Sequence, residues 1–258
     1  MNTLNTILDL AVYPIDDPDF RAECRHTLAR TGALVLPGFM KPEAVAQVKQ
    51  EGLDKQHQAY YTASQHNVYL ADSDPAFGDD HPRNQKVASS KGCITDDLIG
   101  DDSPLRTLYD SERFRDFLGD VLEEELYEYA DPLSSINLHY ASEGQELGWH
   151  FDNSSFATTL LIQKPVAGGV FVYVENVRDA DRGEMNYECV DRVLKGEVEV
   201  KQLSAEPGAL ALFRGRNAIH RVTPTQGDIT RMLVVLAYNN QPDVALSETA
   251  RMTFYGRL

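Results

Sequence analysis

The sequence predicts a double-stranded β-helix, a jelly-roll barrel of the α+β to mainly β class, flanked by helices from the N-terminal half. Three observations carry this. Up to Tyr127 the apolar residues recur at helical spacing, whereas after Tyr129 the chain becomes a succession of runs rich in β-formers. Those runs number about eight, with short turns between them, as a small barrel requires. With 258 residues and 42% apolar content, one substantial core can be buried, and β-rich barrels of this length are often single domains. The expected organisation is one domain over 1–258, with a helical region at 1–128 and the jelly-roll core at 129–258.

Taken in order, PDFRAECRHTLART (18–31) places Phe20, Cys24, Thr27 and Leu28 at helical spacing after an acidic, proline-marked start, and Gly32 ends the helix. ALVLPGF then reads as a short buried strand and a Pro-Gly turn. A second helix opens in PEAVAQVKQEGLDKQHQAYY, with proline in its first turn and Val45, Val48 and Leu53 on one face. From Thr62 to Asp102 the chain turns polar and is broken by Asp72, Asp74, Pro75, Gly78, Pro82 and Gly92. A structureless stretch of this length in a compact domain is either disordered or a functional cover, and the interleaved Tyr69, Leu70, Phe77, Val87 and Ile94 argue against disorder. An ordered flap over residues 62–102 is therefore expected. Helical spacing returns over 104–127 through Leu105, Leu108, Phe114, Phe117, Leu118 and Val121. The strand runs are SSINLHY, residues 149–153, FATTLLIQ, GGVFVYVEN, VEVKQL, GALALF, AIHRVTP and TRMLVVLAYN.

Charge narrows the range of partners. A formal net charge of -16 argues against nucleic acid or an anionic membrane, since either surface repels such a chain. It does not exclude a small anion, because a few buried arginines can set the local field. Cys24, Cys93 and Cys189 are widely spaced with no CxxC pair, so neither a disulfide framework nor a zinc knuckle is indicated. The N-terminus lacks the basic start and apolar core of a signal peptide, and no apolar run approaches a membrane span. The simplest compartment is the cytoplasm.

The chemistry centres on GQELGWHFDNSSF, where His150 and Asp152 stand two residues apart. In an extended strand such residues face the same side, presenting an imidazole beside a carboxylate. A second apolar strand ends at His220 in LALFRGRNAIHRVTP. Two histidines and one carboxylate on separate strands form the facial triad of non-haem Fe(II), which leaves the opposite face open. Structural zinc would instead take four closed ligands, commonly thiolates. Each histidine alone reads more readily as a hydrogen-bonded core residue; their joint context reverses this and points to metal. Part of that context is Arg231 in TRMLVVLAYN. An arginine in an apolar strand is costly to bury unless it meets an anion, and guanidinium binds carboxylate in bidentate fashion. PTQGD between them reads as the turn that makes the His220 and Arg231 strands antiparallel neighbours.

The combination of HFD at 150–152, GG at 168–169, PGALALFRGRNAIHRVTP at 207–224 and Arg231 resembles the Fe(II)/2-oxoglutarate-dependent oxygenases. The resemblance implies iron on His150, Asp152 and His220, and 2-oxoglutarate with its distal carboxylate on Arg231. It also suggests Tyr140, Thr159 and Thr223 as hydroxyl groups beside that cosubstrate. Within the superfamily, HFDNSSFATTLLIQ is similar to the bacterial oxygenases of free amino acids, which include radical lysine chlorinases and hydroxylase relatives. The chlorinases carry a small residue in place of the carboxylate ligand, opening a position for chloride. Asp152 stands there in this chain, so the resemblance implies hydroxylation of a free amino acid by Fe(II), 2-oxoglutarate and O2, with release of succinate and CO2. Lysine or another polar amino acid fits this reading. Halogenation, desaturation or another small metabolite is the alternative outcome, and a non-catalytic cupin-like binding module the alternative class. For the substrate, Arg83 and Lys86 are candidates for a carboxylate, Asn153 for a polar contact, and Trp149 and Tyr255 for an apolar wall.

Overall fold

The computed structural model describes residues 2–258. Its first half is helical with an embedded hairpin: α1 (Leu4–Ile7), α2 (Pro18–Thr31), β1 (Ala33–Leu36), α3 (Pro42–Lys55), β2 (Tyr60–Asn67), β3 (Lys86–Ile94), α4 (Pro104–Tyr109) and α5 (Glu112–Leu122). Helix α2 begins where the sequence signals it. The Asp17 side chain accepts from the Asp19 and Phe20 N–H groups, Pro18 sits where an N–H would be unsatisfied, and Gly32 closes the helix at φ 68°. The helical spacing read over 104–127 belongs to two helices. Ser103 caps α4 and Ser111 caps α5, so the chain restarts at Ser111. The predicted apolar residues Leu105, Leu108, Phe114, Phe117, Leu118 and Val121 are nevertheless all buried, the fully buried Phe side chains each contributing about 1.5–3 kcal/mol.

The second half supplies β4 (Ile136–Ala141), β5 (Leu147–His150), β6 (Ala157–Gln163), β7 (Ala167–Gly168), β8 (Phe171–Val174), α6 (Tyr187–Leu194), β9 (Lys201–Leu203), β10 (Leu210–Phe213), β11 (Ile219–Val222), β12 (Thr225–Gln226), β13 (Arg231–Leu236) and α7 (Glu248–Tyr255). Each strand run read from the sequence overlaps one of these strands, the run 149–153 sharing only residues 149 and 150 with β5, while β7, β12, α6 and α7 are additional. An eleven-stranded antiparallel sheet runs in the order β1-β10-β6-β13-β4-β3-β5-β11-β8-β9, with β2 on the far side of β3. This sheet curls into a nearly closed jelly roll.

Two expectations are corrected. The flap expected over 62–102 is largely the β2–β3 hairpin, paired from Tyr60↔Cys93 to Asn67↔Lys86, and β3 is part of the barrel wall. Strand β2 is exposed along most of its length, so it lacks the apolar alternation by which a half-buried strand is recognised. The connecting loop is pinned by two buried asparagines. Asn67 accepts from the Tyr69 and Ala71 N–H groups, and Asn84 donates to the Asp74 and Phe77 carbonyls. The second correction concerns PTQGD, which is not a hairpin turn. Strand β11 lies between β5 and β8, whereas β13 lies between β4 and β6, so the His220 and Arg231 strands belong to opposite walls. The connection is held by a β12–β7 pair, Thr225↔Gly168 and Gln226↔Ala167.

Strand parity divides the β4-β13-β6 wall. Leu138, Tyr140, Met232, Val234 and Leu160 face the helices and join the large core with α2, α3 and α5. His139, Arg231, Leu233, Val235, Thr159 and Leu161 face the interior of the barrel. Against the outer face of the β5-β11-β8 wall, a second cluster forms from Trp149, Phe151, Val172, Ile219, Val190 and Val193.

Candidate active site

Where β5 ends, the backbone fixes the orientation of His150 and Asp152. The Phe151 N–H donates to the Val68 carbonyl and the Asp152 N–H to the Gly215 carbonyl, so Phe151 turns outward while its two neighbours turn in. His220 is the register partner of His150 across β11–β5. The two ring centroids are 4.2 Å apart, and Asp152 Oδ1 lies 3.4 Å from His220 Nε2 and 3.8 Å from His150 Nε2. One ligand atom from each of the three lies within 4.8 Å of the others. Phe171 and Phe213 flank the His220 ring at 5.3 and 5.0 Å.

The donor set fits a metal. His150 Nδ1 is 2.8 Å from the Gly148 carbonyl and His220 Nδ1 is 2.9 Å from the Ala218 carbonyl. A carbonyl only accepts, so each Nδ1 carries the proton and each Nε2 turns its lone pair to the centre. Burial pushes His150 down to about 3 and keeps it neutral. Asp152 Oδ2 is buried without a hydrogen-bond partner, which is costly unless something else binds it. Two neutral imidazoles and one carboxylate suit Fe(II).

The triad opens into a cavity of about 580 Å³ between the two walls of the barrel. Arg231 lines it from β13. Burial lowers its pKa to about 10, so it remains a cation at neutral pH, and no described carboxylate lies within ion-pair distance. The glycine pair at 168–169 makes its room. A Cβ on Gly169 would approach Arg231 Cδ to 2.9 Å, and one on Gly168 would meet the Pro224 carbonyl at 1.9 Å. A metal-binding triad and an uncompensated buried guanidinium thus share one chamber.

Residues 16–254 match the family described as Halogenase D. The chain belongs to the Halogenase D family. No curated protein matches it. Among solved structures, it is similar to a 2OG-Fe(II) oxygenase family oxidoreductase from Burkholderia pseudomallei, at 13% identity over 87% of this chain and 92% of that one, with a TM-score of 0.54. A Trichoplax adhaerens prolyl hydroxylase, crystallised with a hypoxia inducible factor peptide, is similar at 13% identity over 86% and 90%, with a TM-score of 0.55. The epimerase SnoN, in complex with Fe3+, alpha ketoglutarate and nogalamycin RO, is similar at 12% identity over 87% and 85%, with a TM-score of 0.58. At these identities the likeness is one of fold.

In this Halogenase D chain the predicted site residues separate into two groups. His150, Asp152, His220, Arg231 and Thr159 all line the cavity. Tyr140 does not: its hydroxyl donates to the Gly52 carbonyl at 2.7 Å on the helix side of the sheet, one residue out of phase with the interior. Thr223 is also off the cavity, its hydroxyl accepting from the Val170 N–H at 3.0 Å. The residues proposed for the substrate do not line the cavity. Asn153 is exposed and Lys86 is exposed on β3. Trp149 packs in the outer cluster under Arg221, and Tyr255, at the end of α7, donates to Asn137 Oδ1 at 2.9 Å. Arg83 lies over the Tyr69 ring at 5.7 Å, with Nη1 buried and unpartnered. Lys91 and His139, which line the cavity, went unnoticed in the sequence. Among the described residues no helix is long and apolar enough to cross a membrane.

Proposed function

We propose that the chain is an Fe(II)- and 2-oxoglutarate-dependent oxygenase that hydroxylates an unactivated C–H bond of a free amino acid, releasing succinate and CO2. The observation that carries the hydroxylase reading is Asp152. Its Oδ1 sits 3.4 and 3.8 Å from the two imidazole Nε2 atoms, so the protein itself supplies the third ligand where a halogenating centre would admit chloride. Iron, when bound, supplies O2 activation coupled to oxidative decarboxylation of the 2-oxo acid. The residues do the rest. His150, Asp152 and His220 would hold the metal on one face, Arg231 would bind the distal carboxylate, and Leu147, Leu161, Phe171, Phe213, Val222 and Leu233 exclude water around them. The amino-acid substrate rests on the likeness of HFDNSSFATTLLIQ to the oxygenases of free amino acids, since Arg178 and Arg83 stack on the outward-facing Phe151 and Tyr69 rings and do not line the cavity.

The test is anaerobic addition of Fe(II) and 2-oxoglutarate, watching for the weak visible charge-transfer band, followed by O2 and a panel of free amino acids with chloride present. The expected product is heavier by one oxygen, roughly 16 mass units, with succinate formed in step. Exchange of hydrogen for chlorine, roughly 34 mass units heavier, would favour the second reading, halogenation, which the family description supports. No band in the wild-type protein would sink both.

A further inference from the structure

We propose that Lys91 is a second binding residue for the distal carboxylate of the cosubstrate, acting with Arg231, and that His139 is the positioning residue that holds its ammonium. This rests on the 2-oxoglutarate reading of the cavity.

The sheet register brings the two cations to one place. Strand β3 pairs with β4 through Gly92↔Tyr140, so Lys91 follows opposite Ala141, and Ala141 is the register partner of Arg231 on β13. Lys91, Ala141 and Arg231 therefore lie on one row across three strands. Gly92 and Tyr140 point to the helices, whereas all three members of this row point into the barrel. At about 4.8 Å between adjacent strands, the two long side chains start roughly 10 Å apart with only a methyl group between them. A carboxylate placed above that methyl can be reached from both sides.

Charge balance points the same way. Lys91 Nζ lies 3.1 Å from His139 Nε2 and 3.3 Å from Nδ1, and no described carboxylate lies within ion-pair distance of it. His139 is driven well below its ordinary value by burial, then by Lys91 and Arg231, so the ring against the ammonium is neutral and brings no counter-charge. Burial lowers Lys91 as well. Two buried cations without an acid are expensive. The chain has 40 Asp and Glu against 24 Lys and Arg, so acids are not scarce; none is placed here. The missing negative charge belongs to a ligand. The hydroxyl that might have taken the second contact, Tyr140, is committed to Gly52 on the other side of the sheet.

The experiment measures binding rather than turnover. 2-Oxoglutarate and 2-oxopentanoate, which has the same chain length without the distal carboxylate, are titrated anaerobically by calorimetry into Fe(II)-loaded wild type, K91M, K91R and H139Q. The expected result is a loss of about 10-fold to 100-fold in 2-oxoglutarate affinity for K91M, with 2-oxopentanoate unchanged. K91R should retain most of the affinity, and H139Q should lose a few-fold for 2-oxoglutarate alone. If K91M does not fold, the K91R and H139Q ratios of the two ligands carry the test. Equal weakening of both ligands, or an unchanged 2-oxoglutarate affinity in K91M, would overturn the assignment. A wild-type protein that binds neither 2-oxo acid would instead remove the oxygenase reading itself.

Discussion

The two ends of the cavity are built differently. At the metal end, each imidazole is oriented by a backbone carbonyl two residues earlier in the chain, and the carboxylate follows one ligand by two residues. Orientation there is local and needs no ligand. At the anion end, Arg231, Lys91 and His139 come from three strands, and no described carboxylate lies within ion-pair distance of either cation. The first end is preorganised by its backbone; the second holds charge in suspense until an anion arrives. The contrast predicts that mutations at the two ends affect metal, cosubstrate and stability in separable ways.

The largest effect should come from His220→Ala, which removes a ligand from the preorganised end. Metal-dependent thermal stabilisation and turnover should both fall below detection, and metal retained at wild-type affinity would break the comparison. Next, Arg231→Met should weaken 2-oxoglutarate by about 30-fold or more, from the roughly 2–5 kcal/mol carried by a desolvated charge contact. Urea denaturation of the ligand-free variant should show stability equal to or above wild type, because an uncompensated buried cation has been replaced by an apolar side chain. A clear loss of ligand-free stability would mean that the guanidinium already has its counter-charge.

A smaller effect is expected with pH. The folded protein holds His139 below its ordinary value of 6.5, with Lys91 and Arg231 facing it. Acidification therefore protonates the unfolded chain first. The contribution of neutral His139 is complete above 6.5 and is lost as pH falls from there towards the lowered folded value, with a limiting slope of about 1.4 kcal/mol per pH unit. His139→Gln should flatten that part of the stability profile of the ligand-free protein. The smallest effect is Tyr140→Phe. It should cost about 1 kcal/mol, from a buried hydrogen bond to Gly52, and leave cosubstrate affinity untouched.

What the sequence made legible follows from the same contrast. His150, Asp152, His220 and Arg231 are polar residues at the ends of apolar strand runs, so each stands out against its surroundings. Tyr140 and His139 are adjacent on one strand, and only the pairing of Ala141 with Arg231 reveals that the histidine faces inward. Parity needs a partner strand, which no single run of residues contains. Lys91 was hidden for another reason: its hairpin mate β2 is wetted along most of its length, and the polar 60–91 stretch resembles a loop. The α4–α5 break was foreshadowed by Asp110 and Ser111, good capping residues inside a run whose apolar spacing continued across them.

Gly215 bears on how this centre can be redesigned. A Cβ there would sit 1.8 Å from Asp152 Oδ2 and 2.9 Å from the His220 ring. Positions 152 and 215 therefore divide one volume, and the carboxylate occupies it only because its neighbour has no side chain. An engineer seeking to exchange the third ligand has two coupled positions to vary, and a library that randomises Asp152 alone leaves the glycine that makes its room fixed.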